Sequence, residues 1–197
     1  MFNQLSERIK KFAKERNWEK YHHPKNLIMN TFVEFSELAE HLISSSPLTF
    51  ASLKSDRSKM ALISDELGDL LINLCHFAQR TRIQINETSP ANLPITISPE
   101  QVSLRLLVTL GHLAESLTWI SEEDSRNFLI IEEMPRILTS AVSLTLFFAK
   151  QLDLCPLETS MKKIEKIEKK YPVGQLEEDV HSYSRKKAKY RSSYDKI

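Results

Sequence analysis

Apolar residues recur at three- and four-residue intervals along nearly the whole chain, and only three glycines interrupt its 197 residues. That spacing gathers apolar side chains on one face of a helix, and the short alternating runs that mark strands are missing. The chain is therefore expected to be all-α, a helical bundle. At 41% hydrophobic and 27% charged it can bury a real core, in one domain or in two closely packed halves.

Local signals divide it. Phe2, Leu5, Ile9 and Phe12 mark a helix over 2–16 that must stop before His23-Pro24, since the residue preceding proline avoids the α region. A second helix runs from about 26 to 44 with Leu27, Phe32, Val33, Phe35, Leu38, Ala39 and Leu42 as its apolar residues. A third spans about 58–83 and is apolar almost all round after Asp69, which predicts burial against more than one neighbour. Pro90, Pro94 and Pro99 mark a linker, and Ser98-Pro99-Glu100-Gln101 then reads as a capping box with proline at the first helical position. Further helices are expected at about 99–120, 124–152 and 156–170, opened by Ser98, by Ser121 or Asp124, and by Cys155-Pro156.

The two sets of helices resemble each other. Glu37-Leu-Ala-Glu-His-Leu42 aligns with His112-Leu-Ala-Glu-Ser-Leu117, four identities in six at an offset of 75. Asp65-Glu-Leu-Gly-Asp69 has a counterpart in Glu132-Glu-Met-Pro-Arg136, and Phe77-Ala78 in Phe148-Ala149 at a different offset. The reading is a tandem duplication with an insertion: a first repeat over 1–85, a linker over 86–98, a degenerate second repeat over 99–173 and a polar tail over 174–197. The two repeats would pack as a pseudo-dimer.

Bulk properties exclude some function classes. A formal net charge of +1 gives no bulk attraction to nucleic acid, so no specific nucleic-acid partner is expected. The tail from His181 onward, with six basic residues and three tyrosines, fits either a contact surface or a solvated end. Cys75 and Cys155 form no C-x-x-C pair and sit in apolar helical contexts, which predicts reduced, buried thiols. The N-terminus has no apolar signal stretch, and the run from Ile137 to Ala149 is shorter than the roughly 20 residues of a membrane span. A cytoplasmic location without a membrane partner is the expectation.

The chemistry lies in the acids. Glu34 and Glu37 stand three residues apart on one predicted helix, and Glu66 and Asp69 repeat the spacing on another, so each pair projects from a single face. Each pair is set among apolar neighbours, and antiparallel packing of the two helices would bring four carboxylates together. Like charges in a partly desolvated space raise each other's pKa or require a cation, and hard oxygen donors suit Mg²⁺, with Mn²⁺ as the alternative. Spacing alone leaves a second reading equally open, in which these acids are solvated or paired with lysines. His76 and His112 lack partners at zinc-ligand spacing and read as packing or surface residues.

Flanking motifs extend the pattern. Phe12-Ala-Lys-Glu-Arg-Asn-Trp18 and His22-His-Pro-Lys-Asn-Leu27 precede Glu34-Phe-Ser-Glu-Leu-Ala-Glu40 and Asp65-Glu-Leu-Gly-Asp-Leu-Leu71. Over positions 12–85 the chain resembles the MazG-like all-α nucleoside triphosphate pyrophosphohydrolases, nearest to their dCTP pyrophosphatase branch. The resemblance implies that Glu34, Glu37, Glu66 and Asp69 bind Mg²⁺, and that a nucleoside triphosphate is cut to monophosphate and pyrophosphate in nucleotide-pool house-cleaning. The substrate would be dCTP or a modified pyrimidine deoxynucleotide. Glu37, with Glu66 beside it, is the candidate catalytic carboxylate that takes the proton of the attacking water. Trp18, His22, Lys25 and Asn26 match the segment that contributes to the nucleotide pocket, where an aromatic ring can stack on a base and a lysine can meet phosphate. Trp18 as a plug at the core edge, and His22 or His23 as a cap before Pro24, are the structural alternatives.

The chain also departs from the family. Ser44 stands where relatives carry tryptophan, Asn73 where they often carry tyrosine, and Ile167 where the closing N-x-x-x-Y-P motif has asparagine, within Lys163 to Lys170-Tyr171-Pro172. In the second repeat the acid positions have become Thr109 and His112, with Arg136 and only Glu133 retained, while Trp119 occupies the missing aromatic's place. Trp119, Lys163 and Tyr171 are thus candidates to complete a composite substrate site, although Trp119 reads equally as a core or interface aromatic. Family members assemble in oligomers, which leaves a homo-oligomer open. The losses at Ser44 and Ile167 motivate a second class of function, a non-catalytic nucleotide- or protein-binding module on the same helices.

Overall fold

The computed structural model describes residues 2–44, 46–85, 93–94, 96–121 and 132–174. Those residues form seven helices and no strand: α1 (Phe2–Glu15), α2 (Pro24–Glu40), α3 (Phe50–Ser55), α4 (Arg57–Thr81), α5 (Pro99–Thr118), α6 (Met134–Gln151) and α7 (Pro156–Lys170). The expected all-α fold is what the chain adopts.

Capping chemistry sets the helix starts. Ser98 and Gln101 form the reciprocal capping box at the head of α5, with Pro99 at the first helical position. The Asp56 carboxylate accepts from the Lys59 amide at 2.9 Å and opens α4. Prolines also open α2, α6 and α7. α4 and α6 end alike, on a left-handed residue, Arg82 (φ 58°) and Asp153 (φ 56°). In each case the next amide, Ile83 or Leu154, returns at 2.9 Å to the carbonyl of Ala78 or Ala149.

α2 packs along α4, and α5 along α6. The two hairpins join through α2 on α5 and α4 on α6, while α1 and α7 cover the outer side of α4. The C-terminal helix α7 therefore rests on α4 and α1. One continuous core runs through both halves, with Leu5, Leu38, Leu70, Leu74, Phe77, Leu106, Leu110 and Phe148 all sealed from solvent. Burying each such side chain stabilises the fold by about 1.5–3 kcal/mol. The 137–149 run is the buried face of α6, and among the described residues no single helix is long and apolar enough to cross a membrane.

Some expectations need correction. α2 stops at Glu40, short of Ser44, because the chain turns out through His41. The six-residue α3 was not foreseen; its box of Thr49 and Ser52 is too short a signal to register as periodicity. Cys155 is exposed, since it sits outside α7 as its N-cap, while Cys75 is buried as expected. Asp124 and the expected helical residues 124–131 lie outside the described residues, as do 86–92 of the linker and 175–197 of the tail.

Candidate functional site

α2 and α4 lie antiparallel. Their registry is fixed at one end by the acids and at the other by His22, just before α2, whose ring meets that of His76 on α4 at 4.7 Å between centroids, edge to face. Periodicity puts Glu34 and Glu37 on the inner face of α2 and Glu66 and Asp69 on that of α4. Carboxylate oxygens of Glu34, Glu37 and Glu66 come within 4.8 Å of one another, close enough to hold one metal ion.

Glu66 is the buried member, 9% exposed, and its Oε2 has no hydrogen-bond partner. Burial pushes its carboxyl up to about 8, with the negative charges of Asp69, Glu34 and Glu37 adding to the effect and Lys163 opposing it. An orphaned, desolvated oxygen beside two further carboxylates fits a small hard dication, which is the donor set Mg²⁺ or Mn²⁺ prefers.

Asp69, the fourth acid, stands apart from that trio. Its Oδ2 accepts the Lys163 ammonium at 2.7 Å, while Lys163 and Lys166 reach Asp65 at 3.8 and 2.6 Å. Burial works against the Lys163 charge, but Asp69, Glu66 and Asp65 together hold its pKa above the ordinary lysine value. The cation of α7 thus neutralises part of the acidic face of α4.

Gly68 allows this approach. A Cβ built there would meet the Lys163 Cβ at 3.1 Å and the Thr159 carbonyl oxygen at 3.3 Å, neither of them the far end of a flexible chain. Gly68→Ala is expected to push α7 off α4 and cost about 1–2 kcal/mol net, the strain exceeding the helix-propensity gain of alanine. Chemical denaturation measures it, and a neutral or stabilising result would mean that α7 yields freely.

The remaining candidates divide into two groups. Trp18 packs edge to face on Phe12, His22 and Tyr171 at 5.3, 5.8 and 5.3 Å between centroids. Tyr171 is buried, and its carbonyl accepts from Arg16 Nε at 2.7 Å. Together with the Arg8–Glu168 ion pair at 2.6 Å these contacts lock the end of α7 to α1. Asn26 donates to the Tyr21 carbonyl at 3.0 Å and closes the turn into α2. Lys25 donates to the Thr118 carbonyl at 3.4 Å, which brings it beside Trp119, 93% exposed at the end of α5. Lys163 alone among the candidates from the second half touches the acids. His112 is exposed, Ser44 is exposed, and Ile167 packs against the core.

Sequence reasoning passed over the His22–His76 contact, and with it the buried histidine corner that Arg80 flanks. Burial, reinforced by Arg80 and the neighbouring histidines, depresses His22 to about 4 and His76 to about 3. His76 lies seven residues beyond Asp69, two helical turns along the same face, a spacing from which it could have been located.

Comparison with known proteins bears on the same segment. Part of the chain is similar to dCTP pyrophosphatase 1 of Bos taurus, 40% identical over 76 residues, which is 38% of this chain and 44% of the relative. The dCTP pyrophosphatase 1 proteins of Rattus norvegicus and of Homo sapiens are each 34% identical over 74 residues, with the same shares covered. No family model and no solved structure matches. The chain thus spans under half the length of the curated relatives it matches, and over that part it is dCTP pyrophosphatase-like.

Proposed function

We propose that this chain hydrolyses a nucleoside triphosphate between the α- and β-phosphates, releasing nucleoside monophosphate and pyrophosphate, with Mg²⁺ held by Glu34, Glu37 and Glu66 and with Asp69 as the fourth acid. The observation that carries this reading is the convergence of three carboxylates from two helices around a buried, unpartnered oxygen. Partial similarity to dCTP pyrophosphatase 1 supports dCTP or a modified pyrimidine deoxynucleotide as substrate.

When bound, the dication would neutralise phosphate charge, align its oxygens and acidify a water. The chain's own groups do the rest. Glu37, half-buried at the edge of the cluster, takes the proton from the water whose oxygen attacks the α-phosphorus. The bond to the bridging oxygen breaks and pyrophosphate departs. Lys163 offsets the charge of Asp69 and stands close enough to the acids to meet phosphate oxygens of a bound nucleotide. Trp18, His22, Lys25, Asn26 and Trp119 lie toward the start of α2 and form the nucleoside end, where Tyr171 supports Trp18 from behind.

The like endings of α4 and α6, together with the pairing of α5 on α6 as of α2 on α4, support a tandem duplication packed as a pseudo-dimer. On this reading there is one metal centre per chain, in the N-terminal half. A homo-oligomer and a cytoplasmic setting complete the proposal.

The test is pyrophosphate release from a panel of nucleoside triphosphates with Mg²⁺, for wild type, Glu37→Gln and Asp69→Asn. Wild type should turn over a pyrimidine deoxynucleotide, and each variant should lose at least ~10²-fold in kcat. Absence of metal-dependent turnover on every nucleotide would leave a binding module in its place.

A further inference from the structure

α5 is apolar on two faces. Val102, Leu106, Leu110, Leu113 and Leu117 form its buried side, yet Leu104, Leu107 and Val108 are 61%, 39% and 52% exposed on the other. A helix that meets water on one side carries polar residues there, and one that is apolar all round is covered on both. Gly111 continues the outer stripe, within about 20° of Leu104 around the helix axis. A Cβ built on Gly111 meets nothing within 4 Å. Trp119 ends the stripe, 93% exposed.

Along the first half of α5 the outer side also borders a groove of about 1020 Å³ between α5 and α6. Leu93, Pro94, Ile97, Leu104 and Leu144 supply its apolar walls, with Gln101 and Arg105 among its polar lining. One helix thus presents an unburied indole at its end and an apolar groove at its beginning.

We infer that this face docks a second copy of the chain, α5 antiparallel to α5 across a two-fold axis near Gly111, with Trp119 of each copy seated in the groove of the other. Reversal about position 111 brings position 119 level with position 103, between Gln101 and Arg105. Such a two-fold keeps each flank of the helix on its own side, and Gln101, Arg105 and Trp119 all lie about 60–100° to the same side of Leu104. Charge agrees. Arg105 and Glu115 are exposed, and neither has an ion-pair partner among the described residues. Reversal sets each Arg105 about 3 Å along the axis from Glu115 of the other copy, within reach of an arginine side chain. A parallel pairing would set like charge on like and hold Trp119 away from the groove. Gly111 at the crossing lets the two helices approach closely, since interaxial distance follows the side chains at the contact.

Size fits as well. α5 is about 30 Å long, and one indole buries about 150–250 Å². With three aliphatic side chains and the groove besides, the face is of the order of the roughly 800 Å² per partner found in stable complexes. Trp119, placed above at the nucleoside end beside Lys25, is then held from outside by the second copy. The inference gives the homo-oligomer of the reading above a specific face and rests on that part of it alone, since nucleotide hydrolysis does not enter.

Sedimentation equilibrium of the full chain over about 1–100 µM tests it. Wild type should approach twice its 22.8 kDa. Gly111→Leu adds bulk at the crossing where the single chain leaves open space, and Trp119→Ser empties the groove, so each should weaken association at least ~10-fold. Arg105→Glu alone should weaken it about 10-fold, and Arg105→Glu combined with Glu115→Arg should restore it. Wild type that stays monomeric throughout would remove the face and the homo-oligomer together. An oligomer indifferent to Gly111→Leu and Trp119→Ser would overturn this face and leave the homo-oligomer standing. Failure of the double reversal to restore association would overturn the antiparallel arrangement. None of these outcomes bears on hydrolysis, which the pyrophosphate assay decides by itself.

Discussion

Glu66→Gln is expected to stabilise the metal-free protein at pH 8.5 while abolishing magnesium-dependent turnover. The stabilisation follows from a carboxyl that is 9% exposed and pushed up to about 8 by burial and by its acidic neighbours. Its folded pKa is above its unfolded one, so its contribution to stability is fully present below about 4.5 and is lost as pH rises through 8. Across that window wild type should lose on the order of 4 kcal/mol relative to the glutamine variant, which has no proton to give up. Added Mg²⁺ should reverse the order, because a ligand that binds only the folded state stabilises it in proportion to its concentration over Kd. Turnover should fall by at least ~10³-fold, the cost of removing a group that shapes charge stabilisation of the reacting phosphate. Thermal melts at pH 5 and 8.5, with and without Mg²⁺, test the first part. A variant melting no higher than wild type at pH 8.5 would show that Glu66 is not the strained member of the cluster.

Helices and their starts were legible because they depend on local chemistry. The Ser98 box, the prolines opening α5 and α7, and the apolar stripe of α1 each lie within a few residues of sequence. The acid pairs were equally legible as pairs. Sequence spacing can place Glu34 beside Glu37 on one face, but only packing can bring Glu66 to them and leave Asp69 to Lys163, 94 positions later in the chain. The lysine-rich helix was readable as amphipathic, yet the element it covers is a tertiary matter, and Gly68 was the one local hint of a close approach. Trp18 and Tyr171 show the same divide: each was singled out alone, and their contact with one another joins the beginning of the chain to the end of α7.

Lysine pairing offsets part of the repulsion within this acidic cluster. Lys163 supplies positive charge from outside the α2–α4 hairpin, and Asp65 and Lys166 extend the pairing toward solvent, where ion pairs cost less to form. Glu66 remains the unsatisfied member, its desolvated carboxyl set beside those of Glu34 and Glu37. The opposite end of the groove carries a second set of desolvated groups, of opposite sign in pH.

Acidification from pH 6.5 toward 4 is expected to destabilise the protein through His22 and His76 by on the order of 3 kcal/mol for the first proton taken up. Both rings are depressed, to about 4 and about 3, first by burial and then by Arg80 and neighbouring histidines. A depressed pKa means that the stability is present above the unfolded value of about 6.5 and is lost as pH falls toward the folded values. With centroids 4.7 Å apart the rings titrate as a pair, so one charge makes the second harder to add. Between pH 4.5 and 6.5 Glu66 pulls the other way, so urea unfolding is best followed in the Glu66→Gln background. There the midpoint should fall steadily below pH 6.5, and His76→Leu should flatten the slope by removing one titrating ring from the corner. An equal slope with and without His76 would assign acid sensitivity elsewhere. If the slope flattens, the corner that holds Trp18 through His22 at 5.8 Å is also what acid loosens first, and nucleotide affinity should weaken over the same pH range.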